Sequence, residues 1–462
     1  ASAENLAITE INYNPHGALQ GEPDVGGNAF EFIEVKNISD NPINLSGVQF
    51  KQTLVEGDSE GIRFDFAPDV LAPGAHRVVV RDREAFVGRY GDSPAIALGD
   101  NGLGGEAGVW TGGRLGDGGE SISLFAADGS VIRQVTYDDG AGWPERADGD
   151  GSSLVILDVT LDANLGNNWR ASDLVGGSPG SDSEPFAPDV VVNEILTNSD
   201  APQVDQVELL NVSNQPVDIS GWFLTDNPNS LAKFQFAADV PVLNPGDYVV
   251  IDENQLGFGF KGQANDDVVL LAGDENGPQR FVDSFRFLAT ETGVSLGRWD
   301  NGTGRLFPQV SSTFGAANSG PLLNGTIISE LQYNPQDPDG DLTADDMEFV
   351  ELWNPTGTPV DLSGWRLDRA VEFTFPQGTT VGANSGLVIV PFDPANGETA
   401  AAFRNTYGIA ENVSLIGPFG GVLDNGGENL ELQRPVADVN NEFILVDRVR
   451  YDDDSPWPAD AD

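Results

Sequence analysis

The chain has 462 residues, no cysteine, and 73 acidic against 23 basic side chains, which give a formal net charge of −50. The length predicts about three domains of roughly 150 residues each. The charge argues against nucleic acid as a partner, because binding phosphates requires clustered cationic side chains. The missing cysteines exclude disulfides, thiolate metal sites and cysteine nucleophiles. Without a run of about 18 apolar residues, we expect no membrane insertion.

The chain opens with the letters ASAENLAITEI, which contain neither an initiator methionine nor the apolar core of a signal peptide. Small residues ahead of the first apolar run are typical of the site left after a secretory leader is cleaved. We therefore expect a mature, exported protein that is secreted or held at the cell surface.

Short β-branched runs separated by turns follow along the whole chain. The sequence holds 56 glycines and 29 prolines, and pairs such as N-P, P-G, D-G and G-G interrupt the apolar runs. Turn signals at intervals of roughly 8 to 12 residues are typical of antiparallel β-sandwiches. Helical periodicity occurs in residues 81–91 and 398–408 alone, so we predict an all-β fold with a few short helices.

One pattern of strands recurs three times. A first strand carries a glutamate just before its last aliphatic residue, and we expect it at 6–11, 190–195 and 326–331. In the second strand, residues two apart share a face, so Ile33 and Val35 should point into the core. The opposite face of the second strand carries an acid in every copy. The recurring acids are Glu10, Glu194 and Glu330 in the first strand, and Glu34, Glu208 and Glu351 in the second.

A turn of the form Asx-aliphatic-Ser-Gly follows each second strand. Asx and Ser side chains bond nearby backbone N–H groups and glycine accepts a positive φ, so we predict a tight reversal. A Trp opens the next strand in copies two and three, and we predict that Trp222 belongs to the core. The turns lie at 44–47, 218–221 and 361–364. We therefore interpret the sequence motif that recurs three times as part of the structural scaffold.

These segments resemble the bacterial lamin tail domain, a small immunoglobulin-like β-sandwich. The motifs that carry the resemblance are EFIEVKN and NLSG in copy one, VELLN and DISGW in copy two, and FVELWN and DLSGW in copy three. The resemblance spans nearly the whole chain and implies tandem immunoglobulin-like (lamin-tail-like) β-sandwiches. Copies one and three resemble the extended form found in secreted multidomain proteins of bacteria such as planctomycetes. The repeat predicts domains at 1–185 (the extended form), 186–321 and 322–462.

Copy three ends at WPADAD, where copy one continues with WPERADGDGSSLVILD. By that comparison, the domain at 322–462 lacks its final strand within this sequence, which would leave an open edge of unpaired backbone groups. Either the polypeptide continues past residue 462, or another molecule fills the gap by strand addition.

Candidates for catalysis are few. The two histidines, His16 and His76, lie in unrelated contexts and are expected to be exposed to solvent. The sequence contains no G-x-S-x-G elbow, Walker loop or H-E-x-x-H motif. Paired carboxylates such as Glu10 and Glu34 are the kind that glycosidases use. Their threefold repetition in a small sandwich favours a structural role, accepting hydrogen bonds from backbone or arginine groups, so we predict no enzymatic activity.

Any metal site in a chain without cysteine and with two histidines must be rich in oxygen ligands, which selects calcium or magnesium. The best pattern is DPDGDLTADDME at 337–348. Asp337, Asp339, Asp341 and Glu348 fall at positions 1, 3, 5 and 12 of an EF-hand-like loop. The glycine stands at position 4 instead of 6, and a solvated acidic insertion is the other interpretation. Calcium is the one cofactor that the sequence predicts.

Sequons of the form N-x-S/T, such as those at Asn37, Asn211 and Asn324, would accept glycans in an exporting host that has the machinery. Asparagine is also frequent in β-turns, which is the simpler interpretation.

The sequence as a whole predicts a non-catalytic, exported structural or adhesion protein of a bacterial cell surface or extracellular assembly. Its expected partners are a protein or a surface polymer, and the open edge of the third domain offers a route to self-assembly. The alternative is the targeting or spacer region of a larger secreted enzyme, of the nuclease, phosphatase or spore-coat-kinase-like kind found among bacterial relatives. A catalytic domain encoded after residue 462 would favour this alternative.

Overall fold

The computed structural model describes residues 1–55, 57–100, 108–140, 142–183, 186–322, 325–336, 342–437, 439–452 and 457. Strands in antiparallel sheets dominate these residues, and three short α-helices accompany them, so the predicted all-β fold is confirmed. No helix in this part of the chain is long and apolar enough to cross a membrane.

The chain forms two compact units. The first comprises Ala1–Pro188, Asp218–Val242 and Val268–Ser284, and the second comprises Asp189–Val217, Leu243–Asp267 and Phe285–Asp462. These units are defined by compactness and not by the sequence repeat. The domain boundaries expected after residues 185 and 321 therefore stay predictions.

The first copy contributes fourteen of the described strands and one α-helix. They are β1 (Leu6–Asn12), β2 (Phe32–Asn37), β3 (Ile43–Asn44), β4 (Gln49–Phe50), β5 (Thr53–Val55), β6 (Asp58–Glu60), β7 (Ile62–Asp65), β8 (Val70–Leu71), β9 (His76–Val80), α1 (Arg83–Tyr90), β10 (Gly112–Gly113), β11 (Glu120–Phe125), β12 (Val131–Tyr137), β13 (Leu154–Ile156) and β14 (Trp169–Ala171). Two five-stranded sheets, β14-β13-β1-β2-β9 and β10-β7-β4-β11-β12, supply the core. Ile33 and Val35 are fully buried in it, as the period-2 pattern predicts, and Phe50 and Ile122 contribute from the other sheet.

Helix α1 covers the opposite face of the first sheet. It begins after Asp82, whose carboxylate accepts hydrogen bonds from two backbone N–H groups of the first turn, and it ends at Gly91 with a φ of 70°. Its Phe86 is buried against Phe32 and Val78, which lie on the sheet face that points away from the main core. The helix predicted within 81–91 is confirmed.

The second copy contributes nine described strands and one helical turn. They are β15 (Val190–Leu196), β16 (Gln206–Asn211), β17 (Phe223–Thr225), β18 (Phe234–Gln235), β19 (Tyr248–Asp252), α2 (Glu253–Leu256), β20 (Asp266–Asp274), β21 (Gly277–Phe287), β22 (Leu296–Trp299) and β23 (Arg305–Pro308). They form the sheets β19-β16-β15-β22-β23 and β18-β17-β20-β21. The helical turn α2 has no counterpart among the sequence predictions; a capping box between Asp252 and Gln255 starts it.

The third copy contributes ten described strands and one α-helix. They are β24 (Ile327–Gln332), β25 (Phe349–Asn354), β26 (Val360–Asp361), β27 (Arg366–Arg369), β28 (Phe373–Thr374), β29 (Thr380–Val381), β30 (Ser385–Ile389), α3 (Gly397–Tyr407), β31 (Ser414–Ile416), β32 (Asn429–Pro435) and β33 (Phe443–Arg450). The sheets are β24-β25-β30-β31 and β28-β27-β32-β33, with Val350 and Leu352 of β25 fully buried between them. Helix α3 confirms the one predicted within 398–408.

The predicted Asx-aliphatic-Ser-Gly turns form as expected. Their glycines, Gly47, Gly221 and Gly364, have φ values of 77°, 78° and 75°, which side chains with a Cβ rarely adopt. In the first turn, the Asn44 carboxamide oxygen accepts a hydrogen bond from the Ser46 N–H at 2.8 Å. The other two turns repeat this bond with an aspartate at 2.9 Å.

The prediction that Trp222 belongs to the core is wrong. Trp222 is half-buried, whereas Trp365, at the same point of copy three, is 7% exposed and lies in the core. In copy two the next residue, Phe223, fills the apolar cluster with Leu231 and Phe281. Leu224, two residues after Trp222, is nevertheless fully buried, as Leu367 is two residues after Trp365.

Candidate functional site

A β-bulge brings two glutamates of copy one side by side. In the pairing of β1 with β2, the register shifts between Ile8 and Glu10, so that Thr9 is the extra residue and Glu10 lies directly opposite Glu34. Each glutamate is only 1% exposed. Two buried carboxyl groups at adjacent strand positions are costly unless protons or hydrogen-bond donors compensate them.

The donors for Glu10 come from the far end of the copy. Its carboxylate accepts hydrogen bonds from the Ser153 hydroxyl at 2.5 Å, from the Ser178 N–H at 2.7 Å and from the Ser178 hydroxyl at 3.2 Å. Burial, reinforced by the charge of Glu34, raises the pKa of Glu10 to about 8 despite these donors. Burial therefore favours the protonated form of Glu10 relative to an exposed glutamate.

Glu34 is compensated by three different groups. It accepts hydrogen bonds from the Thr9 hydroxyl at 2.7 Å, from the Gly180 N–H at 2.5 Å and from His76 Nδ1, which lies 2.8 Å away. All four oxygens of the pair thus accept at least one hydrogen bond from the protein. This agrees with the expected structural role, although the donors are hydroxyl, backbone and imidazole groups and not arginines.

The network continues outward to a salt bridge. His76 Nε2 lies 3.3 Å from an Asp182 carboxylate oxygen, which also pairs with the Lys36 ammonium group. The hydrogen bond from Lys36 lowers the pKa of Asp182 below its ordinary value. A polar cavity of about 720 Å³ opens here, and its lining includes Glu10, Glu34, Lys36, His76 and Asp182. No residue pattern in the sequence predicts this cavity.

Copy two repeats the arrangement with different donors. The bulge residue is Asn193, and Glu194 lies opposite Glu208. Both are fully buried. Burial raises the pKa of Glu208 to about 7. Glu194 accepts hydrogen bonds from the Ser295 hydroxyl at 2.5 Å, the Thr313 N–H at 2.9 Å and the Thr313 hydroxyl at 2.9 Å. Glu208 accepts hydrogen bonds from the Asn193 amide at 2.8 Å and the Gly315 N–H at 2.5 Å.

Copy three has the same pair of glutamates, but here the pair is more exposed to solvent. The bulge falls between Ile328 and Glu330, and Glu330 lies opposite Glu351. The Ser329 hydroxyl donates to Glu351 at 2.7 Å, as Thr9 does to Glu34. Glu330 is exposed and Glu351 is half-buried. The first-strand acid is thus buried where a closing segment follows in the described chain, and exposed in copy three.

The sequence-family comparison agrees with this threefold geometry. A family model described as Lamin Tail Domain matches residues 1–139, 184–287 and 324–453, which together make up most of the chain. The chain belongs to the lamin tail domain family. The resemblance and the immunoglobulin-like tandem fold expected from the motifs are confirmed.

Comparisons with individual proteins add little to the lamin tail assignment. The chain is similar to a DUF4876 family protein of known crystal structure from Bacteroides thetaiotaomicron VPI-5482, at 10% identity and a TM-score of 0.22. The match covers 58% of this chain and 79% of that one. No curated protein matches the chain.

Three of the four predicted calcium ligands, Asp337, Asp339 and Asp341, lie outside the described residues. The fourth, Glu348, is 1% exposed and accepts a hydrogen bond from the Leu423 N–H at 3.0 Å. Burial raises its pKa to about 7. In the described part of the chain, no group of three or more His, Asp or Glu side chains is arranged to hold a metal ion. The calcium site stays a prediction.

A counterpart in the first lamin tail copy explains what Glu348 does in the fold. Glu31 also stands immediately before the second strand, and it accepts a hydrogen bond from the Leu115 N–H at 3.2 Å. Arg81 pairs with it at 2.9 Å. The acid at this position therefore anchors a distant loop to the start of the second strand.

Both histidines are less exposed than expected. His16 is 8% exposed, and the side chain of His76 is 9% exposed. For His76 the reason is the segment around Asp182, which crosses the outer face of the first sheet and covers it. The recurring Ser/Thr-x-Gly pattern at 178–180 and 313–315 is the signal in the sequence that corresponds to this segment.

The asparagines of the sequons at 37 and 211 stabilise turns of the fold. Asn37 is fully buried, and its amide group donates to the carbonyl oxygens of Asn41 at 2.8 Å and Leu71 at 2.9 Å. Asn211 makes the equivalent bonds in copy two, and so does Asn354, which is followed by proline and is not a sequon. The Ser or Thr two residues later donates to the same side chain. Asn324 lies outside the described residues.

Proposed function

We propose that this lamin tail protein is a non-catalytic structural component of an extracellular or cell-surface assembly in a bacterium. The main support is that the best candidates for catalytic acids already accept hydrogen bonds from other groups of the same fold. All four oxygens of Glu10 and Glu34 accept hydrogen bonds from groups that the fold itself supplies. A catalytic pair would need at least one oxygen free for substrate or water.

The surface chemistry fits an exported role. A net charge of −50 keeps copies apart and soluble, and its self-repulsion is screened beyond roughly 8 Å at physiological salt. The absence of cysteine makes the fold independent of the redox state of its surroundings.

Two measurements test this proposal. Antibodies against the chain should label intact producing cells or their medium, and mild proteolysis of intact cells should remove the signal. Confinement of the chain to the cytoplasm would refute the exported role.

For the non-catalytic part, the purified chain should bind isolated cell envelopes and leave the length of their polymers unchanged. Release of shorter fragments by the chain, abolished in Glu10→Gln but retained in the control Glu372→Gln, would refute it. Glu372 is exposed and belongs to copy three, whereas the buried pair belongs to copy one.

A further inference from the structure

Residues 173–180, which we call the shared segment, contact copy two at one end and the rest of copy one at the other. Both contacts lie within the first compact unit. Towards copy one, the Ser178 N–H donates to Glu10 at 2.7 Å and the Gly180 N–H donates to Glu34 at 2.5 Å. Towards copy two, the first three residues of the segment lie along the outer edge of β21.

The contact with copy two is strand pairing. Leu174 and Arg280 form an antiparallel bridge. Two backbone hydrogen bonds flank this bridge, one from the Phe281 N–H to Asp173 at 2.7 Å and one from the Val175 N–H to Gln279 at 3.0 Å. Because β21 is the terminal strand of its sheet, these bonds satisfy backbone groups on its outer edge.

Side chains pack around the same strand pairing. Val175 packs against the buried cluster of copy two that contains Leu231 and Phe281. The Arg146 guanidinium of copy one lies 4.4 Å from the centre of the Phe281 ring and donates to the Ser284 hydroxyl at 3.0 Å. A cation over an aromatic ring is attracted by the electrons of the ring face. The contact is therefore a packed joint with its own apolar and polar parts.

Hydrogen bonds connect this joint to the acid pair. Arg146 donates to the Ser172 carbonyl oxygen at 3.0 Å, directly before the shared segment. The Ser172 hydroxyl accepts a hydrogen bond from the Ser153 N–H at 3.0 Å, and the Ser153 hydroxyl donates to Glu10 at 2.5 Å. A continuous chain of contacts thus runs from the surface of copy two to the buried carboxyl groups of copy one.

We infer that the shared segment couples the two copies, so that loosening its contact with β21 also removes hydrogen-bond donors from Glu10 and Glu34. A load that separates β21 from copy one would then destabilise the acid pair as well. The coupling lies inside the first unit and does not depend on export, so it and the proposed function can fail separately.

The short distance along the chain between the two contacts supports the coupling. Gly176 and Gly177 alone separate the residues that pair with β21 from the first donor to the acid pair. Their N–H groups are engaged too, with Gly151 at 2.7 Å and with Leu174 at 3.1 Å. The segment therefore has little slack for one contact to open while the other stays closed, and the two should open together.

A disulfide across the strand pairing tests the coupling. Leu174 and Arg280 form the pair that lies between the two flanking hydrogen bonds, so their Cα atoms should be about 4.5 Å apart, within reach of a disulfide. The natural chain has no cysteine, so the double variant Leu174→Cys with Arg280→Cys can form one intramolecular disulfide. We expect mild oxidation to close it and a reductant to reopen it, as followed by titration of free thiols.

Hydrogen exchange at the acid pair is the readout. The Ser178 and Gly180 amides should exchange roughly tenfold more slowly in the oxidised form than in the reduced form, which carries the same substitutions. The Gly61 amide is the matched control, because it also donates to a glutamate of copy one, Glu120, at 2.9 Å. Gly61 lies between β6 and β7, outside the shared segment, and its exchange should stay unchanged.

The reverse experiment perturbs the acid pair and measures exchange at β21, because coupling between two sites is reciprocal. Glu10→Ala removes the acceptor of the Ser178 N–H and should speed exchange of the Phe281 amide several-fold. Glu120→Ala removes the acceptor of the Gly61 N–H and should not. Should Glu10→Ala fail to fold, the comparison of the two redox forms still decides.

The inference is overturned if oxidation does not close the disulfide. It is also overturned if oxidation slows exchange at Val175 and Phe281 but leaves Ser178 and Gly180 unchanged, since the two contacts would then open independently. Equal slowing at Gly61 would overturn it as well, because the disulfide would then stabilise copy one as a whole and not through the shared segment.

Discussion

Replacing Asn37 by alanine should destabilise copy one far more than its place in a surface turn suggests. The change removes two donated hydrogen bonds, to Asn41 and Leu71, and two accepted from the Ser39 N–H and hydroxyl. Leu71 is fully buried, so water cannot replace the donor that its carbonyl oxygen loses. Leaving this oxygen without that donor should lower the free energy of unfolding by about 1–3 kcal/mol. The lost turn bonds add about 1 kcal/mol, for a total of about 2–4 kcal/mol.

Scanning calorimetry of the full chain measures this cost. For a domain of roughly 150 to 250 residues, each kcal/mol shifts the midpoint by about 2–4 °C, so the transition that contains copy one should fall by about 4–16 °C. The control is Asn41→Ala in the same turn, whose exposed side chain should contribute within about 0.5 kcal/mol. Equal midpoints for the two variants would refute the assignment of Asn37 to the fold.

Three further predictions concern the core, the acid pair and the metal. Trp365→Ala should cost about 3–5 kcal/mol and Trp222→Ala clearly less, as measured by denaturant unfolding; equal costs would contradict the burial difference. Because folding raises the pKa of Glu10 to about 8, the folded state binds its proton more tightly than the unfolded state. Stability from this group is therefore greatest below its ordinary pKa and lost as pH rises through about 8. The melting midpoint should fall from pH 5 to 9, and less steeply in Glu10→Gln; parallel profiles would exclude this titration. Chelation of calcium should lower the melting midpoint, and the double variant Asp339→Asn with Asp341→Asn should show a smaller decrease. Identical melting curves with and without chelator would refute the calcium site.

Local patterns in the sequence predict the strands and turns of each copy. The alternation that places Ile33 and Val35 in the core needs only neighbouring residues, and so does the turn that ends at Gly47. Both predictions are confirmed for the same reason: the backbone geometry of a strand or a tight turn is decided by side chains within a few positions.

The environment of the acid pair could not be predicted in this way. The alternation places Glu34 on the face away from the core, which would ordinarily be exposed. The burial of Glu34 depends on Gly180, which lies 146 residues after it in the chain, and on His76 from a neighbouring strand. Nor does the local pattern distinguish Trp222, which is half-buried, from Trp365, which stands at the same point of copy three and lies in the core.

The distance between Glu10 and its donors also bears on the order in which the polypeptide folds. Ser178 lies 168 residues after Glu10, so the first strand emerges from the ribosome long before the groups that compensate its carboxylate. During that interval the side chain must stay hydrated or be held by other means. Copy one thus completes the surroundings of Glu10 late in synthesis, and a nascent chain that ends before residue 178 would lack the hydrogen bond from the Ser178 N–H to Glu10.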